Sequence, residues 1–182
     1  MRILGVDPGS SATGYGVVDF SAGKLSHVAH GVLRTRRGGA LAGRLAEIHE
    51  GLTAVAAEYG AQLGAVERVF VATNPRSALV LGQARGAALA ALGSAGLEVT
   101  ELSAREVKKA VSGTGSAGKA QVQSMVMRLL ALSALPPMDA ADALAVAICQ
   151  AHRGRRAAGV HGGRRRSLRS LAVDARVSGS SR

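Results

Sequence analysis

The pattern of hydrophobic and polar positions predicts strands first and then alternating strands and helices. The apolar run from Ile3 to Val6 is typical of a central strand covered on both faces, and it stops at Asp7. Residues 13–20 and 24–35 predict two further strands, which make an antiparallel start of three. An amphipathic helix follows, because apolar residues then recur at spacings of four and three: Leu41, Leu45, Ile48, Leu52 and Val55.

The rest of the pattern predicts two more strands and four more helices. The strands are expected at residues 63–69 and 97–102, and the helices at 77–92, from Ser103 onward, at 121–132 and at 139–152. Ser103 followed by Glu106 is the pattern of a capping box, which marks a helix start. The predicted fold class is therefore α/β, with a mixed five-stranded sheet of three antiparallel and then two parallel strands, and helices on both faces.

Charge divides the chain into two parts. Most of the formal net charge of +11 comes from residues 153–182, which contain nine arginines and a single acid, Asp174. Arg, Gly and Ser dominate this tail and no periodicity remains, so we expect one folded domain over residues 1–152 and a disordered basic tail over 153–182. The basic balance favours nucleic acid as a partner over a small acidic substrate.

Other sequence features indicate a cytoplasmic protein that does not enter a membrane. Cys149 is the single cysteine, which excludes an intramolecular disulfide and fits a reducing compartment. Asp7 and Pro8 interrupt the stretch that a secretion signal would need to be apolar. The longest uncharged run, residues 86–97, is shorter than the ~20 residues of a membrane-spanning helix.

Four acidic residues occupy positions that folding alone explains poorly. Asp7 ends a buried strand, Glu67 lies within another, and Asp139 and Asp142 are three residues apart on a helix. If the first and fourth strands are neighbours and the last helix crosses their ends, all four carboxylates converge. Such acids oppose one another's ionisation, and a divalent cation relieves that conflict. Oxygen ligands suit Mg²⁺ or Mn²⁺, and two such ions can activate water for phosphodiester cleavage.

Structural explanations remain open for these acids. Asp139, shortly after Pro136-Pro137, could be a helix N-cap, with Asp142 as a first-turn acid. Asp7 before Pro8 could be a turn residue. Glu67 is harder to explain in this way, because an unpaired acid in an apolar strand costs free energy.

Five segments in order along the chain closely resemble the RuvC family of Holliday junction resolvases. They are ILGVDPGSSATGYGVV, AVERVF, SALVLGQARGAALAAL, VKKAVSGTGSAGKAQV and DAADALAVAI. The resemblance implies a ribonuclease-H-like fold, a homodimer, and Mg²⁺-dependent paired nicking of four-way DNA junctions in recombination and repair. It also implies two Mg²⁺ ions per site, for which Mn²⁺ would substitute, and makes the branch-migration motor complex of the same pathway a candidate partner.

The same resemblance implies roles for individual residues. Asp7, Glu67, Asp139 and Asp142 would be the catalytic acids and metal ligands, and Lys119 would lie near the scissile phosphate. The residues that would contact DNA are Lys108, Lys119, Arg76 and Phe70, of which Phe70 would stack on an unpaired base. Without the resemblance, Lys108 could belong to a solvated helix face and Phe70 to the core.

Other functions stay open at this stage. The protein could bind junctions without cutting them, or be an RNA nuclease or an actin-like phosphotransferase of related fold. GTGSAGKA, residues 113–120, is close to a P-loop, but Ala120 lacks the hydroxyl that binds Mg²⁺ and a helix is predicted before it. Gly82, Gly86 and Ala90 form a small-residue face on one helix, which suits either a dimer contact or burial against the protein's own sheet.

Overall fold

The computed structural model describes residues 1–68 and 74–161, which form a mixed sheet between two helical layers. The strands are β1 Arg2–Asp7, β2 Ala12–Ser21, β3 Lys24–Arg34, β4 Leu63–Arg68 and β5 Glu98–Ser103. The helices are α1 Leu41–Glu58, α2 Pro75–Ser94, α3 Ala104–Ser112, α4 Lys119–Leu129 and α5 Met138–His161.

The sheet order β3-β2-β1-β4-β5 makes β1 the central strand. It pairs antiparallel with β2 and parallel with β4, and β5 continues the sheet parallel to β4. Residues 3–6 of β1 are fully buried, as their continuous apolar run predicts. The predicted mixed sheet of three antiparallel and two parallel strands is confirmed.

Helices cover both faces of the sheet, and each face has its own apolar core. Helices α1 and α2 pack on the side of Leu4 and Val6, whereas α3, α4 and α5 pack on the side of Ile3 and Ala65. The predicted stripe of α1 supplies the buried Ile48, Leu52 and Val55 to the first core. The chain has only two Phe, two Tyr and no Trp, and small and medium apolar residues, Ala, Val, Leu and Ile, make up most of the two cores.

Glycines in β1 and β2 allow α5 to lie directly on the sheet. A Cβ atom at Gly14 would overlap the backbone carbonyl of Asp139, and one at Gly5 would overlap that of Ala143. A Cβ atom at Gly16 would come within 2.7 Å of the Leu144 side chain. Only glycine fits beneath a helix backbone at this separation, so the glycines of these strands fix where α5 begins its path across the sheet.

The bounds of α2, α4 and α5 differ from the sequence expectation. α2 begins at Pro75, where the Asn74 side chain caps it, and α4 begins at Lys119. α5 continues to His161 instead of ending at His152, so helix covers the first residues of the expected tail. Residues 162–182, with Arg164–Arg166, and the site of Phe70 lie outside the described residues.

Candidate active site

Asp7 is the last residue of β1 and lies at the edge of the sheet where β4 also ends. It is half-buried and faces Gly14 of β2 in the ladder. Burial raises the pKa of its carboxyl to about 7, and the negative charges of Asp142, Glu67 and Asp139 add to the rise. Lys119 opposes this rise. An acid in this state binds a proton or a cation far more readily than an exposed aspartate does.

Glu67 reaches the same edge because β4 runs parallel to β1. Ala65, two residues earlier, packs in the core beneath α5, and alternation along the strand puts Glu67 on that same face. Burial is the main cause that raises the pKa of Glu67, followed by the charge of Asp142, while Lys108 and Lys119 lower it. The sheet order alone therefore brings two carboxylates together.

α5 supplies two further acids, which have different surroundings. Burial raises the pKa of Asp142, Asp139 raises it further, and Lys119 and Lys108 lower it. Asp139 is the second residue of the helix, which starts at Met138, so the N-cap interpretation is wrong, although its first-turn position suits the helix dipole. Asp139 acts on Asp7 and Asp142 through its charge.

These elements enclose a cavity of about 360 Å³ at the sheet edge. Three of the four predicted acids line it together with both predicted lysines, whereas Asp139 is not part of the lining. The lining side chains that carry charge are Asp7, Glu67, Asp142, Arg68, Lys108 and Lys119. The sequence prediction that distant acids meet in one place is therefore met for Asp7, Glu67 and Asp142.

Two lysines enter the cavity from neighbouring helices. Lys119 is the first residue of α4, its Nζ atom lies 3.9 Å from Oδ2 of Asp142, and its side chain is 73% exposed. Lys108 is half-buried on α3. The segment before Lys119 follows helix α3, as expected for a loop that is not a P-loop. Both lysines can approach an anion that enters the cavity from solvent.

The donor set of the cavity fits a hard cation. Carboxylate oxygens that repel one another, in a partly buried pocket open to solvent, are the ligands that Mg²⁺ and Mn²⁺ prefer. Within residues 1–68 and 74–161, no three His, Cys, Asp or Glu side chains stand close enough to bind one ion by themselves. Mg²⁺ does not need three such side chains, because it commonly uses one or two carboxylates and fills its remaining coordination positions with water and substrate phosphate.

Of the two other predicted residues, Arg76 lies outside this cluster and Phe70 lies outside the described residues, and one further residue was missed. Arg76 is exposed in the first turn of α2 and does not line the cavity. Phe70 follows the last described residue of β4 by two positions. Arg68 lines the cavity, although only Glu67 was singled out in that stretch. Its place directly after Glu67, at the end of a strand, was the available signal.

Comparisons with known proteins point to one family. The family profile described as "Crossover junction endodeoxyribonuclease RuvC" matches residues 3–150. A protein of that name from Aromatoleum aromaticum is 53% identical over 170 residues, which cover 93% of this chain and 91% of the relative. Another from Burkholderia multivorans is 53% identical over 154 residues, 85% of each chain.

Solved structures give the same result for the fold. Thermus thermophilus RuvC in complex with Holliday junction substrate is 33% identical, with a TM-score of 0.81 over 86% of this chain and 96% of the other. The predicted ribonuclease-H-like fold is confirmed by this match and by the strand order. None of the helices in the described ranges is long and apolar enough to span a membrane.

Proposed function

Because the chain belongs to the RuvC family of crossover junction endodeoxyribonucleases, we propose that it resolves four-way DNA junctions at the cavity between β1, β4 and α5. The observation that carries the proposal is the meeting of Asp7, Glu67 and Asp142 with two lysines at one edge of the sheet. In this proposal the reaction is the hydrolysis of one phosphodiester in each of two opposed strands.

The acids are proposed to hold Mg²⁺, or Mn²⁺ in its place. Asp7, Glu67 and Asp142 are the candidate ligands within the cavity, and Asp139 supplies further negative charge beside them. When bound, a pair of such ions supplies a more acidic water and stabilises charge on the attacking and leaving oxygens. The raised pKa values of these acids support the proposal, because burial first and the neighbouring negative charges second disfavour the ionised carboxylates, and a bound cation offsets both effects.

Lys119 and Lys108 are proposed to bind the scissile phosphate. Lys119 is mostly exposed yet lies beside Asp142, so its ammonium group can contact both the acid cluster and an incoming strand. A cation held near the phosphate before reaction stabilises the charge that develops in the transition state. Lys108 lies deeper and offsets the charge of Glu67.

The remaining DNA contacts are proposed from the resemblance and from position. Phe70 would stack on an unpaired base at the junction centre, a contact that typically contributes ~1–3 kcal/mol. Arg76, exposed at the start of α2, would bind a phosphate further along a DNA arm. Arg68 is added to this set because it lines the cavity next to Glu67.

A homodimer formed through α2 is part of the proposal. The faces of Gly82, Gly86 and Ala90 are exposed, and Cβ atoms at the two glycines would meet nothing within 4 Å. The alternative of burial against the protein's own sheet is therefore wrong, because Ala84 and Ala88 fill that role. A two-fold axis would present two equal sites to two symmetric strands.

Two further assignments stay proposals that rest on the resemblance and on composition. One is docking of the branch-migration motor complex. The other is a cytoplasmic location, which the single cysteine favours.

The test is cleavage of a synthetic four-way DNA junction whose strands are labelled one at a time. We expect paired nicks at symmetric positions in Mg²⁺ or Mn²⁺, none in EDTA, and little cutting of linear duplex. An RNA junction of the same sequence separates this proposal from a related RNA nuclease. Binding of the junction without nicks in either metal would support the non-cleaving alternative and overturn the proposal.

A further inference from the structure

The loop from Pro8 to Ser11, which leaves β1 directly after Asp7, is held by side chains from other elements. The hydroxyl of Thr13, which is fully buried, donates to the carbonyl of Gly9 at 2.8 Å and accepts from the Gly9 N–H at 3.3 Å. At the end of β3, the Thr35 hydroxyl donates to the Ser10 carbonyl at 2.9 Å. The backbone N–H of Thr35 donates to the Ser11 carbonyl at 3.2 Å.

Arg44 of α1 adds a charged clamp to this loop. Its Nε atom donates to the Ser10 carbonyl at 3.0 Å and to the Thr35 hydroxyl at 3.2 Å. Its Nη2 atom donates to the hydroxyls of Ser10 at 3.0 Å and Ser11 at 2.9 Å, and also to the Ser10 carbonyl. Arg44 is half-buried, and its guanidinium group donates these hydrogen bonds to the Pro8–Ser11 loop and to Thr35, which itself binds that loop.

The clamp opposes a force that acts on the same loop. Asp7 is repelled by Asp142, Glu67 and Asp139, and nothing in the ladder holds the chain once it has left β1 at Asp7. A loop free to relax would let the Asp7 carboxylate move away from the other acids. A loop tied to α1 and β3 keeps the carboxylate in the cavity before any cation arrives.

We propose that Arg44 is a positioning residue that holds the Pro8–Ser11 loop, and through it the Asp7 carboxylate, in the geometry that binds a divalent cation. The inference deepens the proposed function and rests on the role given there to Asp7. It assigns to Arg44 an effect on metal affinity and turnover, with no part in binding the junction.

The test compares Arg44→Ala and Arg44→Lys with Arg36→Ala, which removes the same charge from a mostly exposed side chain that pairs with Glu47. Mn²⁺ binding is measured without DNA by electron paramagnetic resonance titration, junction affinity is measured in EDTA, and cleavage is measured under single turnover across a range of Mg²⁺. We expect Arg44→Ala to weaken Mn²⁺ binding about tenfold, as loss of a supporting partner around a metal site typically does. Junction affinity should be unchanged.

Two controls separate positioning from a general loss of structure. Arg44→Lys keeps the charge but loses the fork, so it should restore part of the Mn²⁺ affinity, and Arg36→Ala should behave as wild type. Hydrogen exchange should rise at the amides of residues 9–12 in Arg44→Ala and stay unchanged in β5. Should Arg44→Ala fail to fold, the Mn²⁺ titration of Arg44→Lys decides the matter.

Two results would overturn the inference. One is Mn²⁺ affinity equal to wild type in the Arg44 variants. The other is a loss confined to junction affinity, which would make Arg44 a DNA contact. Failure of the proposed function gives a different result, because the wild-type protein itself would then leave the junction without nicks in Mg²⁺ and Mn²⁺, whatever Mn²⁺ affinity the Arg44 variants show.

Discussion

At the residue scale, Asp7 is held in a cavity where its charged form is unfavourable. Its pKa in the folded protein is about 7, well above the ordinary value of an aspartate. Between those two values the folded state holds a proton that the unfolded state has lost, so the free energy of unfolding falls as pH rises. A cation that binds only the folded state reverses this loss.

The Asp7→Asn variant tests this balance without DNA. In EDTA at pH 8 we expect the variant to be more stable than wild type by about 1–3 kcal/mol, because a buried, repelled charge is gone. The difference should shrink toward pH 5, where wild-type Asp7 is protonated when folded. Urea unfolding at both pH values measures it, and a variant less stable than wild type at pH 8 would refute the pKa argument.

Lys119 carries a separate prediction on rate. Lys119→Ala should slow single-turnover cleavage about 10²-fold, because a charge positioned at the reacting phosphate is lost. Mn²⁺ binding should strengthen slightly, since Lys119 also lowers the pKa of Asp142 and competes for its charge. Lys24→Ala, at the exposed first residue of β3, is the matched control. A cleavage rate equal to that of wild type would show that Lys119 is only a solvent-exposed residue at the start of α4.

Some site residues could be assigned from the sequence because elementary geometry constrains them. Asp7 and Glu67 end strands that are parallel neighbours, so their meeting follows from the strand order. The different positions of Asp139 and Asp142 could not be predicted, since they depend on the rotation of α5 against the sheet. The clamp from Arg44 was also missed, because its partners in the Pro8–Ser11 loop, Ser10 and Ser11, are 34 and 33 residues away along the chain.

At the element scale, the position of α5 on the sheet determines how close its two acids lie to Asp7 and Glu67. Its register is set by backbone contact with Gly14 and Gly5, which permit the helix to lie closer than side chains would. The sequence pattern predicted the start of α5 within one residue, at 139 against Met138. It did not indicate the length of α5, because the Arg- and Gly-containing segment after His152 lacks an apolar stripe and extends a helix already nucleated by packing.

Gly14→Ala tests the contact between α5 and the sheet. The new methyl group would meet the backbone of Asp139, which cannot turn aside as a side chain can, so we expect destabilisation of about 2–3 kcal/mol and weaker Mn²⁺ binding. Gly43→Ala is the control, because it lies in α1 with open space around it and should stabilise by roughly 0.5–1 kcal/mol. Equal stability of Gly14→Ala and wild type would show that α5 can shift freely.

The start of α3 was predicted correctly, because a local capping pattern decides it. The capping box of α3 is present, with the Ser103 side chain accepting from the Glu106 N–H at 3.3 Å and Glu106 accepting from the Ser103 N–H at 2.9 Å. The start of α4 at Lys119 was placed two residues late, since Gly118 provides no capping side chain. The observed start matters for function, because it makes Lys119 a helix residue whose backbone is held beside the cavity.

At the scale of the whole molecule, the part of the chain that the structure describes presents a cavity in which three acids lie beside three basic side chains. The acids bind cations and repel DNA, whereas Arg68, Lys108 and Lys119 attract the phosphate backbone at the same opening. Neither set alone accounts for a nuclease. Their juxtaposition depends on five elements, β1, β4, α3, α4 and α5, so the fold as a whole creates the site.

The most direct test of that claim is the rate of junction cleavage by Asp7→Asn beside Asp19→Asn. Both variants remove one aspartate charge, but Asp19 pairs with Arg2 on the surface at 2.8 Å and lies outside the cavity. We expect Asp7→Asn to bind the four-way junction and leave it uncut in saturating Mg²⁺, while Asp19→Asn cuts it at the wild-type rate. Cleavage by Asp7→Asn equal to that of Asp19→Asn would contradict the account.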